Sequence, residues 1–151
     1  AWAKAIAYAL VDKVGSQGRC ASVIHFSSAS EVSEDLFIPG QYTSEDVMNS
    51  ARHFYCGGTN YEAPLRKAVS TLDSGVLSKA DIVFITDGQC SISSVFQDWL
   101  CAKLSEHHAS ITGVLLDSGN NFEFSLKGFC KTIYRTSELA PSEILSELVL
   151  S

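Results

Sequence analysis

The fold is decided by residues 81–88, which read DIVFITDG. Residues 82–85 form an uninterrupted apolar run, and such runs are typical of strands that are buried on both faces of a parallel sheet. Asp87 and Gly88 follow the run directly, as turn-forming residues do at the end of a strand. Because parallel strands are joined by crossovers that usually contain a helix, this stretch predicts an α/β fold.

Segments with strand-like and helix-like patterns alternate on both sides of this run. Thr43 is expected to cap the second helix, while Gly15 and Gly75 are expected to end the first and third. Strands that alternate with helices of about ten or more residues predict a doubly wound, mostly parallel sheet with helices on both faces, a Rossmann-like arrangement. The predicted strands are 20–26, 31–37, 81–86, 110–116 and 131–135, and the predicted helices are 1–14, 43–56, 61–74, 92–107, 122–128 and one from 141.

Some positions carry an expectation about burial. Met48 and Val95 lie on the predicted apolar faces of the second and fourth helices, so both are expected to pack in the core. His107 and His108 end the fourth helix and are expected to be solvated there. The segment 31–37 carries several acidic residues and is expected to form a strand at the edge of a sheet.

Composition limits the size and the partners of the domain. The chain has 151 residues, 46% of them hydrophobic, which fits one globular domain over residues 1–151. Its 11 basic and 17 acidic residues give a net charge of −6, so a nucleic-acid partner is not expected. No apolar stretch approaches the roughly 18 residues of a membrane span, and the first residues do not resemble a secretion signal.

Cysteine usage favours a reducing compartment. The cysteines are scattered without a C-x-x-C pair, and their odd number cannot be closed by intramolecular disulfides alone. We therefore expect free thiols, some of them packed as small apolar side chains, in a cytoplasmic protein. The cysteines are Cys20, Cys56, Cys90, Cys101 and Cys130.

Polar residues follow the predicted strands at one edge of the sheet, where open α/β sheets bind their ligands. Ser27 follows the first strand, and Asp87 follows the central one. The turn at residues 57–60, which reads GGTN, precedes a helix whose N-terminus is expected at the same edge. Thr59 and Asp87 are hard oxygen donors, so the sequence predicts that these two side chains meet.

The GGTN turn at 57–60, followed after a helix by VFITDG at 83–88, resembles the von Willebrand factor type A (VWA) domain. The order of elements is similar to that family over essentially the whole chain. The resemblance implies that Thr59 and Asp87 are ligands of a metal-ion-dependent adhesion site, MIDAS, that binds Mg²⁺, Mn²⁺ or Ca²⁺. The loop residues that it assigns to the surroundings of the ion are Gly57, Gly58, Asn60, Gly88 and Ser27.

The resemblance also implies a function. A divalent cation held by hydroxyls and few carboxylates attracts one more anionic oxygen, which an acidic side chain of a partner protein can supply. The chain is therefore expected to be a protein-binding module and not an enzyme. The free cysteines and the lack of a secretion signal are similar to intracellular bacterial VWA proteins that work with MoxR-type AAA+ ATPases, so such an ATPase or its substrate is the expected partner.

One part of the family pattern is absent from the sequence. No Asp-x-Ser-x-Ser motif occurs in the 151 residues, although in the family this motif closes a first strand ahead of the helix with which this chain opens. The resemblance implies that this central strand is missing, which leaves two half-sheets with unpaired inner edges. We expect the sequence to be part of a longer polypeptide. With only Thr59 and Asp87 as ligands, we expect no tight metal binding by residues 1–151.

Other interpretations stay open. Thr59 can simply cap a helix and Asp87 can form a turn, in which case the domain is a metal-free interaction scaffold. Asp87 can also serve a metal-dependent hydrolase on the same Rossmann-like scaffold. A thiol site made of Cys56 with His53 or His25 lacks an identifiable oxyanion donor, and the cysteines lack the paired spacing of a zinc site.

Overall fold

A computed structural model of the chain describes residues 2–26, 31–52, 60–75, 82–86, 91–115 and 124–150. Helices and strands succeed one another as an α/β fold requires. Within these ranges, no helix combines the length and the apolar character needed to cross a membrane. The elements are α1 (Trp2–Ser16), β1 (Ala21–Phe26), β2 (Val32–Phe37), α2 (Ser44–Arg52), α3 (Glu62–Asp73), β3 (Ile82–Thr86), α4 (Ser94–Glu106), β4 (Ile111–Leu115), α5 (Phe124–Lys127), β5 (Thr132–Arg135) and α6 (Pro141–Leu150).

The strands form two sheets, which do not pair with each other in the part of the chain that the structure describes. β1 and β2 are antiparallel, with Ala21 opposite Phe37 and Phe26 opposite Val32. β3, β4 and β5 are parallel in that order. The architecture is thus a mixed α/β fold with a three-stranded parallel sheet, as predicted, whereas a single doubly wound sheet with a missing first strand stays a prediction.

Helices cover both faces of the parallel sheet. On one face, Phe84 and Ile111 pack in a core with buried leucines of α3 and α4. On the other face, Val114 packs with Ile6 of α1 and Ile144 of α6. Successive residues of a strand point to opposite faces, so strands covered on both faces must be apolar at every position. This explains the apolar run that dominates the sequence.

Local hydrogen bonds fix the ends of several helices. Thr43 Oγ1 accepts a bond from the amide of Asp46 at 3.2 Å, and Asp46 Oδ2 accepts one from the amide of Thr43 at 2.8 Å, which confirms the predicted cap of α2. Ser93 Oγ accepts a bond from the amide of Phe96 at 3.2 Å at the start of α4. Gly75 follows α3 with a φ of 78°, as predicted for a glycine that ends a helix.

The predicted end of α1 is wrong. The helix continues through Gly15 to Ser16, and the glycine in the left-handed region is Gly18, with a φ of 71°. The amide of Arg19 donates to the carbonyl of Val14 at 2.9 Å and so satisfies one carbonyl of the last turn. A glycine within a helical pattern does not end the helix when a second glycine follows that can adopt the closing conformation.

The predicted burial of Met48 and Val95 is also wrong, since their side chains are 54% and 78% exposed. The buried residues of α4 are Phe96, Leu100 and Leu104, which are four positions apart and form one narrow stripe. Val95 lies about 100° around the helix from Phe96 and therefore points to solvent.

Candidate functional site

A buried pair of hydroxyl groups lies at the carboxyl end of β3. Tyr61 Oη and Thr86 Oγ1 are 2.8 Å apart and share a hydrogen bond. The two residues are 0% and 6% exposed. Tyr61 comes directly before α3 and Thr86 ends β3, so the bond joins the start of a helix to the end of a strand. A buried hydrogen bond of this kind fixes the relative position of the two segments.

Asn60, a predicted site residue, lies at the start of α3. Its Oδ1 accepts a hydrogen bond from the amide of Ala63 at 2.9 Å, which satisfies one of the otherwise unpaired amides of the first helical turn. The side chain of Asn60 therefore anchors the beginning of α3. The predicted role at the rim of a metal site stays a prediction.

The other predicted site residues lie outside the part of the chain that the structure describes. They are Thr59, Asp87, Gly57, Gly58, Gly88 and Ser27. The described neighbours of the two predicted ligands are nevertheless joined: Thr59 precedes Asn60 and Tyr61, Asp87 follows Thr86, and Tyr61 bonds to Thr86. The described residues that flank the two predicted ligands thus meet at one end of β3.

Sequence reasoning missed Tyr61. Its ring packs edge-on against Phe84, with the ring centroids 4.9 Å apart, and against Phe129 at 6.5 Å. The three rings all belong to the larger buried core. An aromatic residue directly after the GGTN turn was the available signal, but the sequence gives no indication of its partner.

A second polar cluster joins α1 and α2 to β1 and β2. Tyr8 Oη lies 2.6 Å from Ser50 Oγ, and His25 Nε2 lies 3.2 Å from both Ser50 Oγ and Asp35 Oδ2. Ser50 is 4% exposed. Burial raises the pKa of Tyr8 above its ordinary value of 10.0, while the hydrogen bond to Ser50 acts in the opposite direction. The phenol of Tyr8 is therefore neutral at physiological pH.

This cluster contains a serine, a histidine and an aspartate, but its geometry differs from that of a catalytic relay. In a relay, the aspartate holds one ring nitrogen of the histidine while the other nitrogen faces the serine. Here Ser50 and Asp35 approach the same nitrogen, Nε2 of His25, which carries at most one proton. The cluster therefore holds α1 and α2 against β1, and we assign no hydrolase site to it.

Asp73, Glu106 and His107 form the group of potential metal ligands found among the described residues, with ligand atoms within 4.8 Å of one another. A cation of the chain itself lies in this group, since Lys103 Nζ is 3.6 Å from both Asp73 Oδ2 and Glu106 Oε2. His107 Nε2 lies 2.6 Å from Asp73 Oδ1. The group is an ion-pair network that joins α3 to α4, so the prediction that His107 is merely solvated is wrong.

A cavity of about 650 Å³ lies between the two sheets. Its sides are β1 and β3, and its lining combines apolar residues such as Val23 and Val83 with charged ones such as Arg19 and Lys131. Residues of α1 and α3 line it as well. We name this cavity the inter-sheet slot.

Three of the cysteines are described, and all three are free thiols. Cys20 and Cys101 are exposed, whereas Cys130 packs partly buried against the larger core. Burial raises the pKa of Cys130 to about 12. Among these three, the predicted packing of thiols as small apolar side chains is confirmed only for Cys130.

Comparison with known proteins gives relatives whose functions are not assigned. The chain is 25% identical over 150 residues to the uncharacterized protein MJ0077 of Methanocaldococcus jannaschii, a match that covers 98% of this chain and 37% of that protein. It is 25% identical over 143 residues to the uncharacterized protein MJ0811 of the same organism, covering 94% of this chain and 32% of that protein. The chain thus spans about a third of the length of these curated relatives. No family model matches it.

Proposed function

We propose that this chain binds a partner protein through a divalent cation held at the carboxyl end of a doubly wound sheet. Thr59 and Asp87 supply oxygen ligands, and an aspartate or glutamate of the partner supplies a further oxygen. The main support for this proposal is the 2.8 Å hydrogen bond between Tyr61 and Thr86. Tyr61 lies two residues after Thr59, and Thr86 directly precedes Asp87, so the bond joins the chain segments next to both ligands.

The two ligands suit a hard cation in chemistry but not in number. Mg²⁺ and Mn²⁺ prefer about six oxygen ligands, so a hydroxyl and a carboxylate leave most positions to water. Metal binding by residues 1–151 alone is therefore weak. A site that contributes a single carboxylate leaves positive charge on the ion, and this charge attracts an external carboxylate. Tyr61 and Thr86 hold the two segments in position.

The net charge of the chain favours a metal bridge in the binding of an acidic partner. The net charge of −6 repels acidic surfaces, so removal of the cation is expected to turn attraction into repulsion. A MoxR-type AAA+ ATPase or its substrate is the partner class that the VWA resemblance implies. The free thiols of Cys20, Cys101 and Cys130 favour the reducing cytoplasm as the place of this interaction.

Paramagnetic broadening by Mn²⁺ tests the location of the site. Added Mn²⁺ is expected to broaden the side-chain amide signals of Asn60 and the methyl signal of Thr86, and Asp87→Ala is expected to abolish this broadening. Glu106→Gln is the matched control, because its carboxylate belongs to the ion-pair network that includes His107. Broadening confined to that network would contradict the proposal.

Acetate tests the attraction for a carboxylate. In the presence of Mn²⁺, the protein is expected to speed the relaxation of the acetate methyl protons beyond the effect of free Mn²⁺. EDTA and Asp87→Ala are each expected to remove the difference, whereas Glu106→Gln is expected to preserve it. An effect that persists in Asp87→Ala would place the ion elsewhere.

A pull-down of the natural partner with the whole natural polypeptide distinguishes metal-dependent binding from the metal-free scaffold and from the hydrolase. We expect EDTA to release the partner and Mg²⁺ to restore binding. A partner retained in EDTA would favour a metal-free scaffold. Hydrolysis of phosphoesters that requires both Mg²⁺ and Asp87, with partner retention unchanged, would favour the hydrolase.

A further inference from the structure

Arg66 of α3 lies against two aromatic rings of α4. Its guanidinium carbon is 4.8 Å from the ring centroid of Phe96 and 5.1 Å from that of Trp99, which is the geometry of a cation–π contact. The two ring centroids are 5.4 Å apart. Phe96 is 2% exposed, whereas the side chain of Arg66 is 59% exposed. The rings therefore restrain the guanidinium while much of the side chain stays accessible from solvent.

The hydrogen-bonding capacity of Arg66 is largely unused within the part of the chain that the structure describes. Its ion pair there is with Glu62, one turn earlier in α3, and the Nη2 and Oε1 atoms are 4.0 Å apart. This distance is too long for a hydrogen bond, and exposed pairs of this kind contribute little. A guanidinium carries five N–H groups in a planar fork that matches the two oxygens of a carboxylate. Arg66 can therefore bind an external carboxylate.

Val95 adds an apolar contact beside the rings. Its side chain is 78% exposed, more than that of any other large hydrophobic residue among those described. Val95 and Trp99 are four positions apart in α4, so they are neighbours on one face of the helix. Arginine and tryptophan beside an exposed apolar side chain form a combination that is typical of protein interfaces. We name this the arginine–aromatic surface, formed by Arg66, Val95, Phe96 and Trp99.

The arginine–aromatic surface lies near the beginnings of two neighbouring helices. Arg66 is in the second turn of α3, and the rings that it contacts are in the first two turns of α4. The two helices run in the same direction, since their other ends meet at Asp73 and His107. α3 begins beside Tyr61, which bonds to the carboxyl end of β3. The surface is therefore on the side of the molecule toward which the parallel strands point.

The charges around Arg66 favour a carboxylate over a phosphate. Glu62 already lies beside the guanidinium, and the chain as a whole carries a net charge of −6. A phosphate group on a protein carries up to about two negative charges, so these acidic surroundings repel it more strongly than they repel a single carboxylate. One guanidinium balances one carboxylate.

We propose that the arginine–aromatic surface binds a segment of a partner protein in which an aspartate or glutamate stands next to an aliphatic or aromatic residue. The carboxylate accepts hydrogen bonds from the guanidinium of Arg66, and the apolar side chain packs on Val95 and Trp99. No metal ion takes part in this contact. The inference therefore stands or falls separately from the proposed metal-dependent function.

Selection from a library of short random peptides tests the inference. The whole natural polypeptide is the bait, and EDTA is present throughout so that no divalent cation contributes to binding. We expect the selected peptides to share an aspartate or glutamate next to leucine, isoleucine or phenylalanine. Failure to select any peptide, or selection of peptides without an acidic residue, would overturn the inference.

The affinity of a selected peptide, labelled with a fluorophore and measured by anisotropy in EDTA, tests the role of Arg66. Arg66→Gln is expected to weaken binding about tenfold, because the charged hydrogen bonds to the carboxylate are lost. Lys67→Gln is the matched control, since it makes the same change of charge at the next exposed position of α3, and it is expected to stay within about twofold of the wild type. Equal losses in the two variants would overturn the inference.

Arg66→Lys serves if Arg66→Gln fails to fold. It keeps the positive charge and removes the planar fork, so it is expected to weaken binding about threefold. Wild-type affinity in Arg66→Lys would overturn the assignment of the guanidinium as the carboxylate-binding group.

Val95→Ser tests the apolar half of the surface. We expect it to weaken peptide binding about fivefold, because the contact with the apolar residue of the peptide is lost. Met48→Ser is the matched control, since Met48 is 54% exposed on α2, and it is expected to leave the affinity unchanged. Unchanged affinity in Val95→Ser would overturn the apolar contact.

Two further comparisons test the choice of a carboxylate ligand. Glu62→Gln removes the carboxylate beside Arg66 and is expected to strengthen peptide binding about twofold, whereas a loss of binding would overturn the inference. A peptide with phosphoserine in place of its acidic residue is expected to bind more weakly. Tighter binding of the phosphoserine peptide would assign the surface to a phosphorylated partner and overturn the assignment to a carboxylate.

Discussion

Tyr61 and Thr86 are joined by a buried hydrogen bond of 2.8 Å between the start of α3 and the end of β3. Tyr61→Phe keeps the ring that packs against Phe84 and removes the hydroxyl. We expect this substitution to lower the free energy of unfolding by about 1 kcal/mol, because one buried hydrogen bond is lost. Urea denaturation of the two proteins measures the difference.

A double-mutant cycle separates this hydrogen bond from the other effects of each substitution. Thr86→Val removes the second hydroxyl at nearly constant volume. We expect the effects of Tyr61→Phe and Thr86→Val on the free energy of unfolding to be non-additive, with a coupling energy of roughly 0.5–1.5 kcal/mol. Thr132→Val, at an exposed position of β5, is the control and is expected to be additive with Tyr61→Phe. Simple additivity of the first pair would show that the two hydroxyls do not interact.

The strands are the part of the fold that the sequence predicts best. Each described strand lies within one residue of its predicted bounds, since short apolar or β-branched runs are bounded by turn-forming residues. The pairing of the strands is a different matter. The order β3-β4-β5 depends on contacts between residues that are far apart in the chain, which no local pattern records.

Side-chain contacts between elements are predicted less well. Val95 fits the apolar periodicity of α4 but is 78% exposed, because helical periodicity identifies a face without showing how wide the neighbouring element is. His107 is predicted to be a solvated helix end, yet its ring contacts Asp73 of α3. Both errors have the same origin: the partner of a surface position is set by tertiary packing.

The candidate site is predictable only where local chemistry marks it. Thr59 follows two glycines and Asp87 follows a buried strand, so both stand out in the sequence as possible ligands. Tyr61 does not stand out, because its bond to Thr86 spans 25 residues. The ligand role of Thr59 and Asp87 stays a prediction for the experiments with Mn²⁺ and acetate.

Gly113 in the central strand β4 provides a test of the core. A Cβ atom at this position would lie 3.1 Å from Cys130 Sγ and 3.2 Å from Leu126 Cδ1. We expect Gly113→Ala to lower the free energy of unfolding by about 1–3 kcal/mol, because the extra methyl group overpacks this region. Chemical denaturation measures the loss.

The thiol next to Gly113 allows a rescue experiment. Cys130→Ala removes the sulfur that a new methyl group would meet. The double variant Gly113→Ala with Cys130→Ala is therefore expected to lose less free energy of unfolding than the two single variants lose in sum. Cys101→Ala is the control, since this cysteine is exposed. Equal results with the two cysteine substitutions would show that the contact with Cys130 does not limit the packing.

The thiols are expected to differ in reactivity. Burial raises the pKa of Cys130 to about 12, so its reactive thiolate form is rare near pH 8. Cys20 and Cys101 are exposed. Peptide mass spectrometry after brief treatment with iodoacetamide is expected to show alkylation of Cys130 at least about tenfold slower than that of the other two. Unfolding in urea is expected to remove this difference, and equal rates in the folded protein would contradict it.

The contact between Asp73 and His107 predicts a dependence of stability on pH. The hydrogen bond with His107, and then the charge of Lys103, hold the pKa of Asp73 below its ordinary value of 3.8. A carboxyl group with a lowered pKa in the folded state stabilises the fold above its ordinary pKa, and the contribution is lost as the pH falls through the folded-state value. We therefore expect Asp73→Asn to destabilise the protein near neutral pH and the difference from the wild type to shrink below about pH 4.

Asp98→Asn is the matched control for this prediction, because Asp98 is exposed on α4 and makes no ion pair with another described residue. Near neutral pH its free energy of unfolding is expected to lie closer to the wild type than that of Asp73→Asn. Thermal or urea denaturation of the three proteins between about pH 2 and pH 7 gives the comparison. A loss in Asp73→Asn that stays constant over this range would mean that Asp73 stabilises the junction of α3 and α4 by packing, without a contribution from its charge.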